Sequence, residues 1–175
     1  MARPRIRAPS LKEYERIVKY LKNKANKKPL IDYVLPLFIA VTGARVSEAI
    51  EVNTYDIDYD NNYVMVPTLK SGKGRKRIVP LPVWFLNILN RYIVWNGIGD
   101  KLFPISRVQA WRIVKKETGW NPHALRHAYA MFLLYNGWDV EQVRRVLGHS
   151  SWDLVRYYVE MVGIDREKAN PLDYF

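Results

Sequence analysis

The sequence predicts a mainly α fold carrying one small antiparallel β-hairpin or sheet, an α+β domain. Three observations lead there. Helix-start boxes recur: Ser10 with Glu13, Ser106 with Gln109 and Asp139 with Gln142 each set a short hydrogen-bond acceptor three residues before a Glu or Gln. In such a box the two residues satisfy each other's backbone N–H groups at a helix N-terminus. One stretch, "NNYVMVPTLKSGKGRKRIVPL", changes to strand-like patterning around a Gly-rich turn. The chain has 175 residues, 49% of them hydrophobic, which suits one domain with a sizeable core.

The elements follow in order. The Ser10 box opens a helix from Leu11 to about Lys24, ended by "NKANKK". A second helix covers Leu30 to Val41, with a kink expected near Pro36 because proline lacks the N–H the helix needs. Thr42-Gly43 breaks it, and a short helix starts around Arg45. Tyr63, Val64 and Val66 run into Lys70, and Ile78-Val79 return after the turn, giving a hairpin with a polar tip. Pro82 suits the first turn of the next helix, through about Trp95. The Ser106 box opens another, through about Glu117. Asn121 caps and Pro122 opens the next, closed by Gly137; the Asp139 box opens one more, closed by Gly148. Ser150 and Asp153 cap a last helix, which carries Tyr157 and Tyr158.

Charge narrows the function. A formal net charge of +11 argues for a polyanionic partner, nucleic acid or an anionic surface. No apolar run approaches the ~18 residues that span a bilayer; "PLIDYVLPLFIAVTG" comes nearest and is interrupted by Asp32 and Pro36. "MARPRIRAPS" is basic without an apolar stretch behind it, unlike a secretory signal. With no cysteine there are no disulfides and no thiolate metal sites, which fits an intracellular protein. Three histidines, among them His123 and His127, give a poor basis for a zinc site, so no metal is expected.

Four segments hold residues suited to chemistry. In "TGARVSEAIEV", Arg45 follows a helix break and Glu48 lies one helical turn on. In "KSGKGRKR", Lys70, Lys73, Arg75, Lys76 and Arg77 crowd a ribbon tip that could grip phosphates. In "NPHALRHAYA", His123 and Arg126 share one face at a helix start, where the helix dipole favours an anion. In "LGHSSWDLVRYY", His149 sits in a tight connection between two capped helices. Taken singly, each also has a plain structural reading: a surface ion pair, a solvated turn, a core helix with polar neighbours, an exposed histidine. Arg107, Arg112, Lys115 and Lys116 add positive charge suited to further phosphates, so binding should weaken steeply with salt.

In this order and at these spacings, the segments resemble the catalytic domain of the tyrosine recombinases, the phage-integrase family with its Xer-type members. The resemblance runs from about Leu11 to Tyr158. "TGARVSEAIEV" resembles the first arginine segment, with Arg45 as that arginine and Glu48 as its acidic neighbour. "VPTLKSGKGRKRIVPL" resembles the lysine hairpin, "HALRHAYA" the His-x-x-Arg motif of His123 and Arg126, and "LGHSS" the segment of the second histidine, His149. The family's nucleophile follows that histidine by nine residues, which selects Tyr158, with Tyr157 as the alternate one position earlier. "VPTLK" selects Lys70 as the catalytic lysine, whereas the "GKG" turn selects Lys73.

The resemblance implies a tyrosine recombinase catalytic-domain fold and site-specific DNA recombination or integration. The tyrosine attacks a DNA phosphodiester, forms a 3′-phosphotyrosyl intermediate with release of a 5′-hydroxyl, and religation to a partner strand follows. Double-stranded DNA is the partner, no cofactor or metal is needed, and the setting is cytoplasmic and DNA-associated. It further implies weak or no self-association off DNA and a homotetramer on it. Residues 1–175 form a single catalytic domain, with a basic segment at 1–10 and a tail at 159–175; the family's N-terminal core-binding domain is absent from this chain. Competing readings are a type IB topoisomerase-like nicking and closing activity, and a DNA-binding module without catalysis.

Overall fold

A computed structural model describes residues 7–69 and 74–148. The first helix, α1 (Leu11–Lys27), begins at the expected box: Ser10 Oγ accepts from the Glu13 N–H at 3.3 Å, and the Ser10 N–H donates to Glu13 Oε2 at 2.8 Å. It outruns its expected end because Ala25, one turn beyond Leu21, is also fully buried and holds the last turn against the core.

Helix α2 (Ile31–Thr42) is the central strut, buried continuously from Val34 to Thr42 and packed against α1 and against the helices at Val83–Asn96, Arg107–Thr118 and Pro122–Tyr135. Pro36 lies within it and the helix continues on both sides. The Tyr14 hydroxyl donates to the Ala40 carbonyl at 2.7 Å, tying α1 to α2. Phe38 meets Phe103 edge-on at 5.3 Å and Phe85 at 6.3 Å, at the aromatic centre of the core. Gly43 then ends α2 in the left-handed region, φ 65°, a conformation costly to any residue with a Cβ. A single turn, α3 (Val46–Ala49), follows with Arg45 at its N-cap.

The expected hairpin is the larger part of a three-stranded antiparallel sheet, ordered β1 (Ile57–Asp58), β2 (Tyr63–Pro67), β3 (Lys76–Pro80). Strand β1 is too short to show a period, and a 3₁₀ turn at Thr54–Asp56 precedes it, so it escaped the pattern reading. The register pairs Val64 with Val79 and Val66 with Arg77. Since side chains alternate across a strand, Arg77 and Val79 point inward while Lys76 and Ile78 point outward. This corrects one expectation: Arg77 is a buried residue, 9% exposed, and not one of the ribbon-tip cations open to grip DNA phosphates.

Among the described residues the remaining helices are α4 (Val83–Asn96), α5 (Arg107–Thr118), α6 (Pro122–Tyr135) and α7 (Val140–Leu147). Pro82 is the N-cap of α4 rather than part of its first turn. The Ser106 and Asp139 boxes and the Asn121 cap form as read, and α6 stops at Tyr135, two residues before Gly137. Gly148 closes α7 at φ 64°. The helix expected from Ser150 onward lies outside the described residues. Among the described residues, no helix is long and apolar enough to cross a membrane.

Candidate active site

The end of α2, the start of α6 and the end of α7 converge, and each helix end leaves backbone groups without intrahelical partners. Arg126, one turn into α6, answers two of them. Its Nη1 donates to the Gly43 carbonyl at 2.6 Å and its Nη2 to the Leu147 carbonyl at 2.7 Å. Both acceptors sit at the negative ends of helix dipoles, where a cation is favoured. Arg126 is only 3% exposed. Burial first, then the charges of Arg45 and Arg77, push its guanidinium down to about 9, still protonated at neutral pH.

Arg45 stands across from it. Its Nη1 donates to Glu48 Oε1 and its backbone N–H to Glu48 Oε2, both at 3.0 Å. Glu48 is fully buried, and its Oε2 also accepts from Arg77 Nη2 at 2.8 Å. Burial alone would raise the Glu48 carboxyl. The Arg77 hydrogen bond and charge, aided by the Arg45 N–H and the charge of Arg126, outweigh it and hold Glu48 below the usual carboxylate range. Two guanidiniums thus bond one carboxylate and the charge of a third, Arg126, acts on it, leaving an excess of positive charge in a mostly dry cluster, an arrangement suited to an anion.

A cavity of about 470 Å³ opens onto this cluster, lined by Arg45, Ser47, Arg107, Trp111, His123 and Arg126, with Val46 and Pro122 completing its wall. The exposed His123 sits in the first turn of α6, one turn before Arg126. His127, on the next turn, is pushed down to about 4 by burial and by the neighbouring charges of His123 and Arg126, so it is neutral at pH 7.

The structure therefore brings together Arg45, Glu48, His123, Arg126 and Arg107. Trp111 and Ser47 join them, although the sequence reading passed over both: Trp111 reads as an ordinary apolar helix residue, and Ser47 has no partner spacing. Arg112, Lys115 and Lys116 are exposed on α5; Lys115 Nζ donates to the Gly119 carbonyl at 2.8 Å and so caps its own helix. Arg75 is exposed, and Lys76 pairs with the buried Asp56 at 2.6 Å. Lys70, Lys73, His149, Tyr157 and Tyr158 lie outside the described residues. Among the described residues, no cluster of three His, Asp or Glu could hold a metal ion.

The helical frame with its three-stranded sheet is a tyrosine recombinase catalytic-domain fold. The chain aligns with the crystal structure of a XerA recombinase at a TM-score of 0.75 and 23% identity, covering 94% of this chain and 65% of that one. It aligns equally, at 0.75 and 20% identity, with XerH bound to a palindromic difH substrate, covering 95% and 53%. The chain belongs to the phage integrase family, whose pattern matches residues 10–162. Relatives include the tyrosine recombinase XerD of Staphylococcus saprophyticus, 33% identical over 141 residues, covering 69% of this chain and 46% of that protein. The tyrosine recombinase XerA of Pyrococcus furiosus is 30% identical over 182 residues, covering 95% and 62%. That of Thermococcus onnurineus is 27% identical over 154 residues, covering 79% and 54%. The chain spans about half the length of the relatives it matches.

Proposed function

We propose that this chain acts as the catalytic domain of a site-specific DNA recombinase working on double-stranded DNA. The observation that carries the reading is the cavity where Arg45 and Arg126 converge beside His123. Two guanidiniums, charged at neutral pH and matched to phosphate oxygens, suit the negative charge that builds on a phosphodiester under attack. Each well-aimed donor is worth about 3–4 kcal/mol in such a transition state.

The step is a transesterification. The Tyr158 hydroxyl oxygen bonds to phosphorus as the bond from phosphorus to the 5′-oxygen breaks. The phenol, with a reference pKa near 10, gives its proton to His123, and the departing 5′-oxygen takes one from Lys70, with Lys73 as its alternate. His149 adds a donor to the phosphate oxygens. Religation runs the step backward with the 5′-hydroxyl of another strand. One ester replaces another, so no external energy source is required. Arg75, Arg107, Arg112, Lys115 and Lys116 supply phosphate contacts, and chains associate as a homotetramer on DNA. The DNA-bound state of XerH supports DNA as the partner class.

The test is a nicked suicide duplex offered to wild type, Tyr158→Phe and Tyr157→Phe. A covalent protein–DNA adduct that survives denaturant should form with wild type and Tyr157→Phe and vanish in Tyr158→Phe. Loss only in Tyr157→Phe moves the nucleophile by one residue. DNA binding without an adduct in any variant makes the chain a binding module. Strand exchange between two sites, as opposed to plasmid relaxation alone, separates recombination from topoisomerase-like nicking and closing.

A further inference from the structure

Arg77 takes no part in the chemistry above, yet its guanidinium ties together three parts of the fold. Nε donates to the Val146 carbonyl at 2.6 Å, and Nη2 to Glu48 Oε2 at 2.8 Å. Nη1 donates to the Pro67 carbonyl and to Thr68 Oγ1, each at 3.3 Å. The last turn of α7 is thus held at two adjacent carbonyls by two arginines, Val146 by Arg77 and Leu147 by Arg126. Gly148 makes room for this: a Cβ there would lie 3.0 Å from Arg77 Cδ and 3.1 Å from its Nη1.

Each partner of Arg77 adjoins a group of the proposed site. Glu48 holds the guanidinium and the N–H of Arg45. Thr68 lies two residues before Lys70, and Val146 three before His149. A planar group with five fixed donors can set several acceptors in one geometry, which a flexible ammonium cannot. Displacing a reacting group by about 1 Å can cost about 100-fold in rate.

We propose that Arg77 is a positioning residue: through Glu48 it sets Arg45 against the scissile phosphate, and through Val146 and Thr68 it registers the end of α7 and the ribbon to the same frame. The inference rests on the functional reading above. A merely structural arginine would hold the same bonds, so the deciding readout must depend on phosphate charge.

The experiment compares wild type with Arg77→Lys on two suicide duplexes, one ordinary and one with a neutral methylphosphonate at the scissile position. The neutral linkage relieves the need for an aligned arginine. Adduct-formation rate, DNA affinity and melting temperature are measured for each protein. Wild type must cleave the ordinary duplex; if it does not, the functional reading fails first and separately. With cleavage established, Arg77→Lys should bind DNA within about 3-fold of wild type and cleave the ordinary duplex about 100-fold more slowly. The defect should shrink below about 10-fold on the neutral duplex. An unchanged rate, or the same defect on both duplexes, overturns the proposal. If Arg77→Lys does not fold, Glu48→Gln takes its place; it alters the link to Arg45 and leaves the other Arg77 bonds in place. The same narrowing is expected there, and its absence overturns the proposal equally.

Discussion

Replacing Gly43 by alanine tests the convergence of helix ends on which the cavity depends. Two costs add. The residue sits at φ 65°, where a Cβ costs about 1–2 kcal/mol. That Cβ would also lie 2.5 Å from Leu147 Cδ2 and 2.6 Å from Tyr129 Cδ1, both in the core, and such overpacking costs about 1–3 kcal/mol. The sum is about 2–5 kcal/mol, a large share of the ~5–15 kcal/mol that holds a typical domain folded. For a domain of this size it corresponds to a melting point lower by about 5–15 °C. Gly97 supplies the control. It ends α4 at φ 60° with nothing within 4 Å of a new Cβ, so Gly97→Ala should show the backbone cost alone. Thermal and urea unfolding of both variants isolate the close approach as their difference. Should Gly43→Ala prove no less stable than Gly97→Ala, the packing of Gly43 against Leu147 and Tyr129 would be wrong, and with it the route by which Arg126 reaches the Gly43 carbonyl.

Two further outcomes follow from the charges. His127 is pushed down to about 4 in the folded protein and titrates near 6.5 when unfolded, so the unfolded chain takes up its proton first. Its contribution to stability is intact above about pH 6.5 and is lost as pH falls toward 4; Glu48, held low, acts in the same direction below its unfolded pKa. Urea midpoints at pH 7 and pH 5 should show this loss, and His127→Gln should reduce it; an equal drop in both proteins would assign the loss elsewhere. DNA affinity should fall steeply with salt, and Arg107→Ala should lower the slope of log affinity against log salt by about one. An unaltered slope in a titration from low to moderate salt would remove Arg107 from the phosphate contacts.

The parts of the fold legible in the sequence were those fixed by neighbours a turn apart. The boxes at Ser10, Ser106 and Asp139 satisfy backbone donors within three residues, so their chemistry is local. Arg77 was misplaced because Ile78 and Val79 are both apolar. Which of them faces inward is set by the register against β2, in which Arg77 pairs with Val66. The His123–Arg126 spacing gave a shared helix face, but the carbonyls Arg126 grips belong to Gly43 and Leu147, 83 and 21 residues away. No local pattern encodes such partners. The roles of Tyr158, His149 and Lys70 rest on family resemblance: the loop position of His149 and the basic ribbon around Lys70 point to an anion but select no role, and helical spacing does not separate Tyr158 from Tyr157.

The double fastening of α7 has a practical consequence. Because Val146 and Leu147 are each clasped by a guanidinium rooted in another element, the polypeptide leaves residue 148 from a fixed launch point. A segment grafted there from a relative would start from that same fixed point. The junction is therefore a natural seam for building chimeras.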